Sequence, residues 1–496
     1  MISALLWVQK GIVAEKPKKY ELDDKEYERI SNQVLELEVP KNENDVKMET
    51  KMNVDDVSEL AEYNLDQYDD DEDENGQPMS IFGNIKGLTY YTSNEEDPYI
   101  TISDEDDESD DLKILATDNV IVAAKTEDEI SQLEIYVYEE AEDNLYVHHD
   151  IMLSSFPLCL ELLDFQLNKK EGINDENEKG NYVAVGTFDP EIEIWDLDVI
   201  DSMYPNAILG KNDKKKKKKK KRSNSEYHTD AVMSLSWNKH HRNLLASSSA
   251  DSTVKLWDLQ SLKCVHSFKH HKDKVQQVEW NFMEPNTLLT ASFDKTVAAF
   301  DSRAPDNVAY WNIGTDPECI RWDPLTPQYF YVSTETGLVL NFDMRKSGQV
   351  APIFTLHAHD SAVSSLELNP SIQGCLVTGS TDKMVKVWDI KDAKPSMVVS
   401  RNLEAGKIFS TKFCPDSPFQ LAIAGSKGKV FIWDLSCNAG VRNSFKGRTS
   451  FPIKNDGINI DKTVKAEDQD VDDDDEDDED NAVELEDMED DSDDEG

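Results

Sequence analysis

A block of ten cationic side chains is the densest concentration of one chemistry in this 496-residue chain. Lys211 is followed, after Asn212 and Asp213, by Lys214, Lys215, Lys216, Lys217, Lys218, Lys219, Lys220, Lys221 and Arg222. Such a run reads as a nuclear import or nucleolar retention signal, as a patch for polyanions, or as a solvated loop meeting acidic segments of the same chain. It contains no aromatic residue and so offers no platform for base stacking. Any RNA or DNA contact through it is electrostatic, nonspecific and steeply salt-dependent. The opposite charge is equally concentrated. Glu21 to Asp111 carries 31 acidic and 6 basic residues, and Glu467 to Gly496 carries 21 acidic and none basic, so the two stretches hold −46 of a net −49. Blocks like these cannot bury enough apolar surface to offset their ordering entropy and read as largely disordered. The C-terminal one suits basic partners such as histone tails or ribosomal proteins, or serves solubility alone. Ser103 and Ser492 each have an acidic residue three positions on, Asp106 and Glu495, a setting for acid-directed kinases. Each phosphate would add roughly −1.5 to −2 charges.

Catalytic chemistry finds little to work with. Cys159, Cys264, Cys319, Cys375, Cys414 and Cys437 form no CxxC pair and have no histidine at metal-ligand spacing, which fits a reducing compartment and no bound metal. There is no HExxH, no nucleophile elbow and no glycine loop to cradle phosphate, so neither a cofactor nor catalysis is expected. Met1 to Trp7 lacks the basic start and small-residue cleavage site of a secretion signal, and nowhere do 18 apolar residues run together. The reading is a soluble intracellular protein with no membrane contact.

What positions the remaining residues is a repeat. Trp195-Asp196, Trp257-Asp258, Phe300-Asp301, Phe342-Asp343, Trp388-Asp389 and Trp433-Asp434 fall at intervals of 62, 43, 42, 46 and 45 residues. The long interval contains the lysine insertion, and removing that insertion restores the period. A further unit lies upstream, where Asn119 to Lys125 and Leu133 to Tyr138 imitate the strand pair Leu244 to Ser248 and Val254 to Leu259, with Tyr136 in place of the tryptophan. Each unit has an alternating strand ending in an aromatic, a strand of small residues, and a third strand closing on Trp-Asp, a period-two pattern and not a helical one. An aspartate six residues before the closing aromatic (Asp189, Asp251, Asp294, Asp382) suits the tight turn between the second and third strands. Seven such units predict an all-β, seven-bladed propeller.

These units resemble the WD40 family, whose blades often hold a buried hydrogen-bonded set of His, Ser or Thr, Asp and Trp. The resemblance assigns His228, Ser247 or Ser249, Asp251 and Trp257 to one blade, and His359, Thr378 or Ser380, Asp382 and Trp388 to another. A His-Ser-Asp set invites a hydrolase reading, but its recurrence once per blade beside a tryptophan argues for a structural role. Phe300 and Phe342 cannot donate an indole hydrogen bond, and Lys427 stands where the last blade's turn aspartate belongs, so those blades are expected to be held mainly by packing.

Segments outside the repeats carry a narrower resemblance. They are the opening Ile2 to Val8, Leu88 to Tyr99 (LTYYTSNEEDPY), Tyr146 to Leu153 (YVHHDIML) with Phe156-Pro157-Leu158, Phe188 to Asp196 (FDPEIEIWD), and the lysine block ahead of His228. With these the chain resembles the periodic tryptophan protein 1 family. The resemblance implies a nuclear, chiefly nucleolar scaffold in ribosome biogenesis, tied to rRNA transcription, pre-rRNA processing or large-subunit assembly. Its expected partners are proteins of pre-ribosomal or rRNA transcription complexes, with nonspecific RNA contact through the lysine loop. A chromatin-associated histone-binding module is the alternative. The domain reading that follows places the first strand or strands of a monomeric propeller at 1–14 and an acidic insertion at 15–111. The rest of the propeller spans 112–445, with a lysine-rich loop at 210–225, and an acidic tail fills 446–496. An apolar island at 79–102, including Ile81, Phe82, Tyr90 and Tyr99, is expected to dock on its own propeller or to be offered to a partner as a strand.

Overall fold

The computed structural model describes residues 1–20, 112–167, 180–211, 226–348, 351–451 and 463–466. The apolar island, the lysine block from residue 212 on, Ser103, Ser492 and residues 467–496 lie outside these.

Seven antiparallel sheets of four strands each follow one another along the chain. The inner strands are Ile2–Val8, Pro157–Leu163, Val232–Trp237, Val275–Trp280, Pro317–Trp322, Ser365–Leu368 and Ile408–Phe413, and each packs against the inner strands of the neighbouring blades, the last against the first. The chain is thus an all-β, seven-bladed propeller. Strand composition follows position. Second strands such as Leu244–Ser249 and Cys375–Gly379 are covered on both faces by adjacent blades and are almost wholly buried, which is why they read as continuous runs of small and apolar residues. The outer strand Lys263–Phe268 faces water along one side and is largely exposed.

Seven apolar clusters occupy the seven interfaces between blades. Phe268 and Val254 of the third blade pack on Val278, Trp280 and Leu288 of the fourth, and Ile2, Leu5 and Trp7 of the first meet Ala424, Val430 and Ile432 of the seventh. Each blade buries its faces only against its neighbours, so the core is a closed ring of equivalent contacts. Polar links reinforce the last interface: Leu5 N–H donates to Ser410 Oγ (3.2 Å), Trp7 Nε1–H to the Lys412 carbonyl (2.9 Å) and Lys10 N–H to Asp416 Oδ2 (2.8 Å).

Two short strands fall outside the sequence-based boundaries. Thr463–Lys465 pairs with Phe431 to Trp433 and forms the outer strand of the seventh blade, within the stretch assigned to the tail. Lys18–Lys19, assigned to the insertion, pairs in parallel with Val199–Ile200 of the second blade. Runs of two or three residues carry no periodicity to read. Among the described residues no helix is long and apolar enough to cross a membrane.

Candidate functional site: blade networks and central channel

In the third blade, Trp257 Nε1–H donates to Ser247 Oγ at 2.8 Å, that oxygen lies 2.7 Å from His228 Nε2, and His228 Nδ1 lies 3.1 Å from Asp251 Oδ2. Asp251 also accepts from the backbone of Thr229 and Thr253 and from the Thr253 hydroxyl. Burial pushes its carboxyl up, but the His228 and Thr253 donors outweigh that and hold it below the ordinary range. Burial pulls the His228 imidazole below its usual 6.5. The sixth blade repeats the set with His359 Nδ1 to Asp382 (2.8 Å), His359 Nε2 to Thr378 Oγ1 (2.8 Å) and Trp388 Nε1 to Thr378 Oγ1 (2.9 Å). Ser249 and Ser380 do other work, bonding the carbonyls of Asp230 and Ser361 and accepting the backbone N–H of Asp251 and Asp382. Asp, His and hydroxyl stand in the order of a hydrolase relay. Ser247 and Thr378, however, have no exposed surface, and each hydroxyl already accepts an indole hydrogen bond, so no substrate carbonyl can reach them.

The fourth blade corrects the sequence reading. Phe300 supplies no indole N–H, yet His271 Nδ1 lies 3.1 Å from Asp294 and Nε2 lies 2.8 Å from Thr290 Oγ1, so this blade has a polar network as well as its packing. The readable signal was spacing: in all three sets histidine precedes the hydroxyl by 19 residues and the aspartate by 23. In the fifth blade aromatic packing does dominate, with Phe330 stacked on Phe342 and edge-on to Trp311 and Trp322. The tryptophan of the second blade donates to its neighbour Glu193, and Tyr136 of the first bonds Glu134, which also pairs with Lys125 at 3.0 Å.

Down the axis runs a channel of about 620 Å³ walled by the inner strands. Strand register brings one residue per blade to a common level, and six of these line the channel: Glu161, Ser236, Glu279, Arg321, Glu367 and Lys412. Several clasp the next blade, since Glu161 accepts Trp237 N–H (3.0 Å), Ser236 accepts Trp280 N–H (3.1 Å) and Glu279 accepts Trp322 N–H (3.1 Å). The charges are unevenly matched. Glu367 faces both cations, with Arg321 at 3.0 Å and Lys412 at 3.4 Å; burial raises its carboxyl, but those cations outweigh it and hold it below its ordinary value. Among the described residues Glu279 forms its one ion pair with Arg321, at 3.9 Å, and burial pushes it up to about 7. Burial likewise raises Glu161. This level escaped sequence reading because its members are one per blade and chemically unlike. Among the described residues no group of three His, Cys, Asp or Glu side chains is placed to hold a metal ion.

The family model described as "WD domain, G-beta repeat" matches residues 220–258, 262–301 and 350–389, the same three blades that carry the His–Asp sets. Three curated relatives match nearly end to end. An uncharacterized WD repeat-containing protein of Schizosaccharomyces pombe is 45% identical, over 95% of this chain and 96% of its own. Periodic tryptophan protein 1 of Saccharomyces cerevisiae is 35% identical over 90% of each chain. The periodic tryptophan protein 1 homolog of Drosophila melanogaster is 29% identical over 90% of this chain and 96% of its own.

Proposed function

This chain belongs to the periodic tryptophan protein 1 family of WD-repeat proteins, and from that premise we propose that it is a noncatalytic nuclear and nucleolar scaffold in ribosome biogenesis. The observation that carries the reading is the near end-to-end match: the two alignments cover 95% and 90% of this chain, more than the blades alone make up, which is beyond what a shared propeller requires. A closed ring of blades with buried polar networks is a rigid platform on which loops can hold protein partners, and fold alone does not choose those partners. In this reading the lysine block directs import or nucleolar retention, the acidic tail holds basic proteins, and phosphate on Ser492 in the tail, or on Ser103 in the acidic insertion, makes its own segment hold a basic partner more tightly.

The test is affinity purification after crosslinking, comparing the full chain with variants lacking residues 211–222 or 467–496 and reading both protein and RNA. Pre-ribosomal proteins and ribosomal RNA should be recovered with the full chain and should persist without the tail. Histones recovered in their stead, and only when the tail is present, would overturn the reading in favour of a chromatin role.

A further inference from the structure

The loop that joins the third blade to the fourth carries Lys269, Lys272 and Lys274, and the turn between the second and third strands of the fourth blade carries Lys295; all four are exposed. Loop and turn are fastened to one another. Phe293 N–H donates to the Lys274 carbonyl (3.0 Å), Ser292 Oγ to the Asp273 carbonyl (3.1 Å) and Lys272 N–H to Asp294 Oδ2 (3.0 Å), while His271 lies against the same carboxylate. Tyr310 of the outer strand holds the near end of the loop through the His270 carbonyl (3.2 Å). One pinned stretch of backbone thus presents four cations together. Among the described residues none of the four forms an ion pair. Asp294 has its oxygens taken up by His271, the Lys272 N–H and Thr296, and Asp273 turns one oxygen to the Lys274 N–H. The patch is local to this blade, since the corresponding loop and turn of the fifth blade carry Asp316 and Glu335, and the loop into the sixth carries Asp360.

A pinned cationic patch calls for a polyanion, and this chain brings one. Strand Thr463–Lys465 runs antiparallel to Val430–Asp434 and ends with Lys465 opposite Phe431, so Ala466 leaves it on the face where the turns between second and third strands lie, that of Lys295 among them. Beyond Ala466 comes Glu467 to Gly496, with 21 acidic and no basic side chains. Fully extended, a stretch of that length spans roughly 100 Å. A four-stranded blade is only about 15 Å wide, so the tail reaches the fourth blade from the seventh with slack. Exposed ion pairs are individually weak. The covalent tether, however, keeps these carboxylates near the patch at an effective concentration on the order of millimolar, which a free polyanion has to exceed.

We propose that the acidic tail, Glu467 to Gly496, docks in cis on Lys269, Lys272, Lys274 and Lys295 of the fourth blade. A basic partner of the tail, or an anionic partner of the patch, competes with that contact. The contact stands whether or not the ribosome reading does.

Carbodiimide coupling on the full chain tests this, because it joins an ammonium to a carboxylate where the two are in contact; an equal mixture of light and heavy isotope-labelled chains separates coupling in cis from coupling between copies. In about 0.02 M salt the four lysines should couple to the tail at least fivefold more than Lys407 and Lys427, which lie on the seventh blade nearer its exit, and the products should be of single isotope. In about 0.5 M salt that coupling should fall at least fivefold. The variant with Lys269, Lys272, Lys274 and Lys295 all changed to Gln keeps every backbone bond of the loop. Its tail should be cut several-fold faster than the parent's by a protease specific for glutamate at the lower salt, and equally fast at the higher. A charge-matched variant, with Lys346, Lys383, Lys391 and Lys394 changed to Gln, should be cut like the parent. Tail coupling confined to Lys407 and Lys427 or to the lysine block at 211–221 would overturn the proposal, as would products of mixed isotope, carboxylates of residues 21–111 taking the four lysines instead, or equal cutting of the two variants.

Discussion

In the third and sixth blades the imidazole is wedged between a carboxylate and a hydroxyl, and one tautomer pairs every group. Nδ1–H donates to the aspartate, Nε2 accepts the hydroxyl proton, and the hydroxyl oxygen accepts the indole N–H. An imidazolium would turn a second N–H on a hydroxyl whose own proton then has no acceptor. Burial holds His228 and His359 below 6.5 in the fold, so the unfolded chain takes up protons first. Their contribution to stability is full above pH 6.5 and is lost as pH falls through the folded values. Glu279 works the other way: raised from 4.5 to about 7, its contribution is full below 4.5 and lost as pH climbs through 7. Because the two oppose one another between pH 4.5 and 7, the diagnostic quantity is the difference between the parent and His228→Gln. That variant should be destabilised by about 1–3 kcal/mol at pH 8, and the gap in urea unfolding should narrow as pH falls to 5.5. A gap independent of pH would mean that the imidazole titrates alike in the folded and unfolded chain, and a gap that widens as pH falls would mean that it is charged in the fold.

At the scale of the blade, a single glycine shows how tightly successive elements are joined. Gly337, in the turn between the second and third strands of the fifth blade, has φ +81°. Its carbonyl accepts the backbone N–H groups of Ala358 and His359, which lead into the sixth blade. A Cβ there would stand 2.0 Å from the His359 carbonyl oxygen, while Gly314, with φ +85°, has no neighbour within 4 Å of such a Cβ. Gly314→Ala should therefore cost only backbone strain, about 1–2 kcal/mol, and Gly337→Ala about 2 kcal/mol more, since the adjoining blade has to shift. Equal losses in urea denaturation would show that the close approach has no energetic weight. Blades were legible in sequence wherever a strand's residues report its surroundings locally, as the small buried residues of Leu244–Ser249 and the alternation of Val232–Trp237 do. The His271 set went unread because Phe300 replaces the tryptophan that marks the others. The Thr463–Lys465 strand is too short to show a period. The channel level was illegible for a different reason: Glu161, Ser236, Glu279, Arg321, Glu367 and Lys412 are brought together by ring geometry, one from each of six blades, and nothing local marks them.

For the whole molecule, the question is what the acidic insertion adds to the ring it interrupts. The two chain segments that lead into and out of it run side by side: Ile114 N–H donates to the Glu15 carbonyl at 3.0 Å, and Lys113 pairs with the Glu15 carboxylate at 3.0 Å. A short Gly/Ser linker can therefore replace residues 21–111 without pulling Ile2–Val8 from its partner Asn119–Glu127, and the seam to the seventh blade remains closed. Removing those residues also takes away a surplus of 25 negative charges, which by itself favours the compact state. Any loss of stability must then come from the apolar island at 79–102. If the island docks on its own propeller, removal of 21–78 alone should leave the thermal midpoint within about 2 °C of the parent. Removal of 21–111 should lower it by more than about 4 °C, roughly the effect of 1–2 kcal/mol in a domain of this size. Near-ultraviolet circular dichroism should still report packed tryptophans in both variants. If both deletions leave the midpoint unmoved, the island's aromatic residues are not contributing to the ring, and their place is on the surface of a partner.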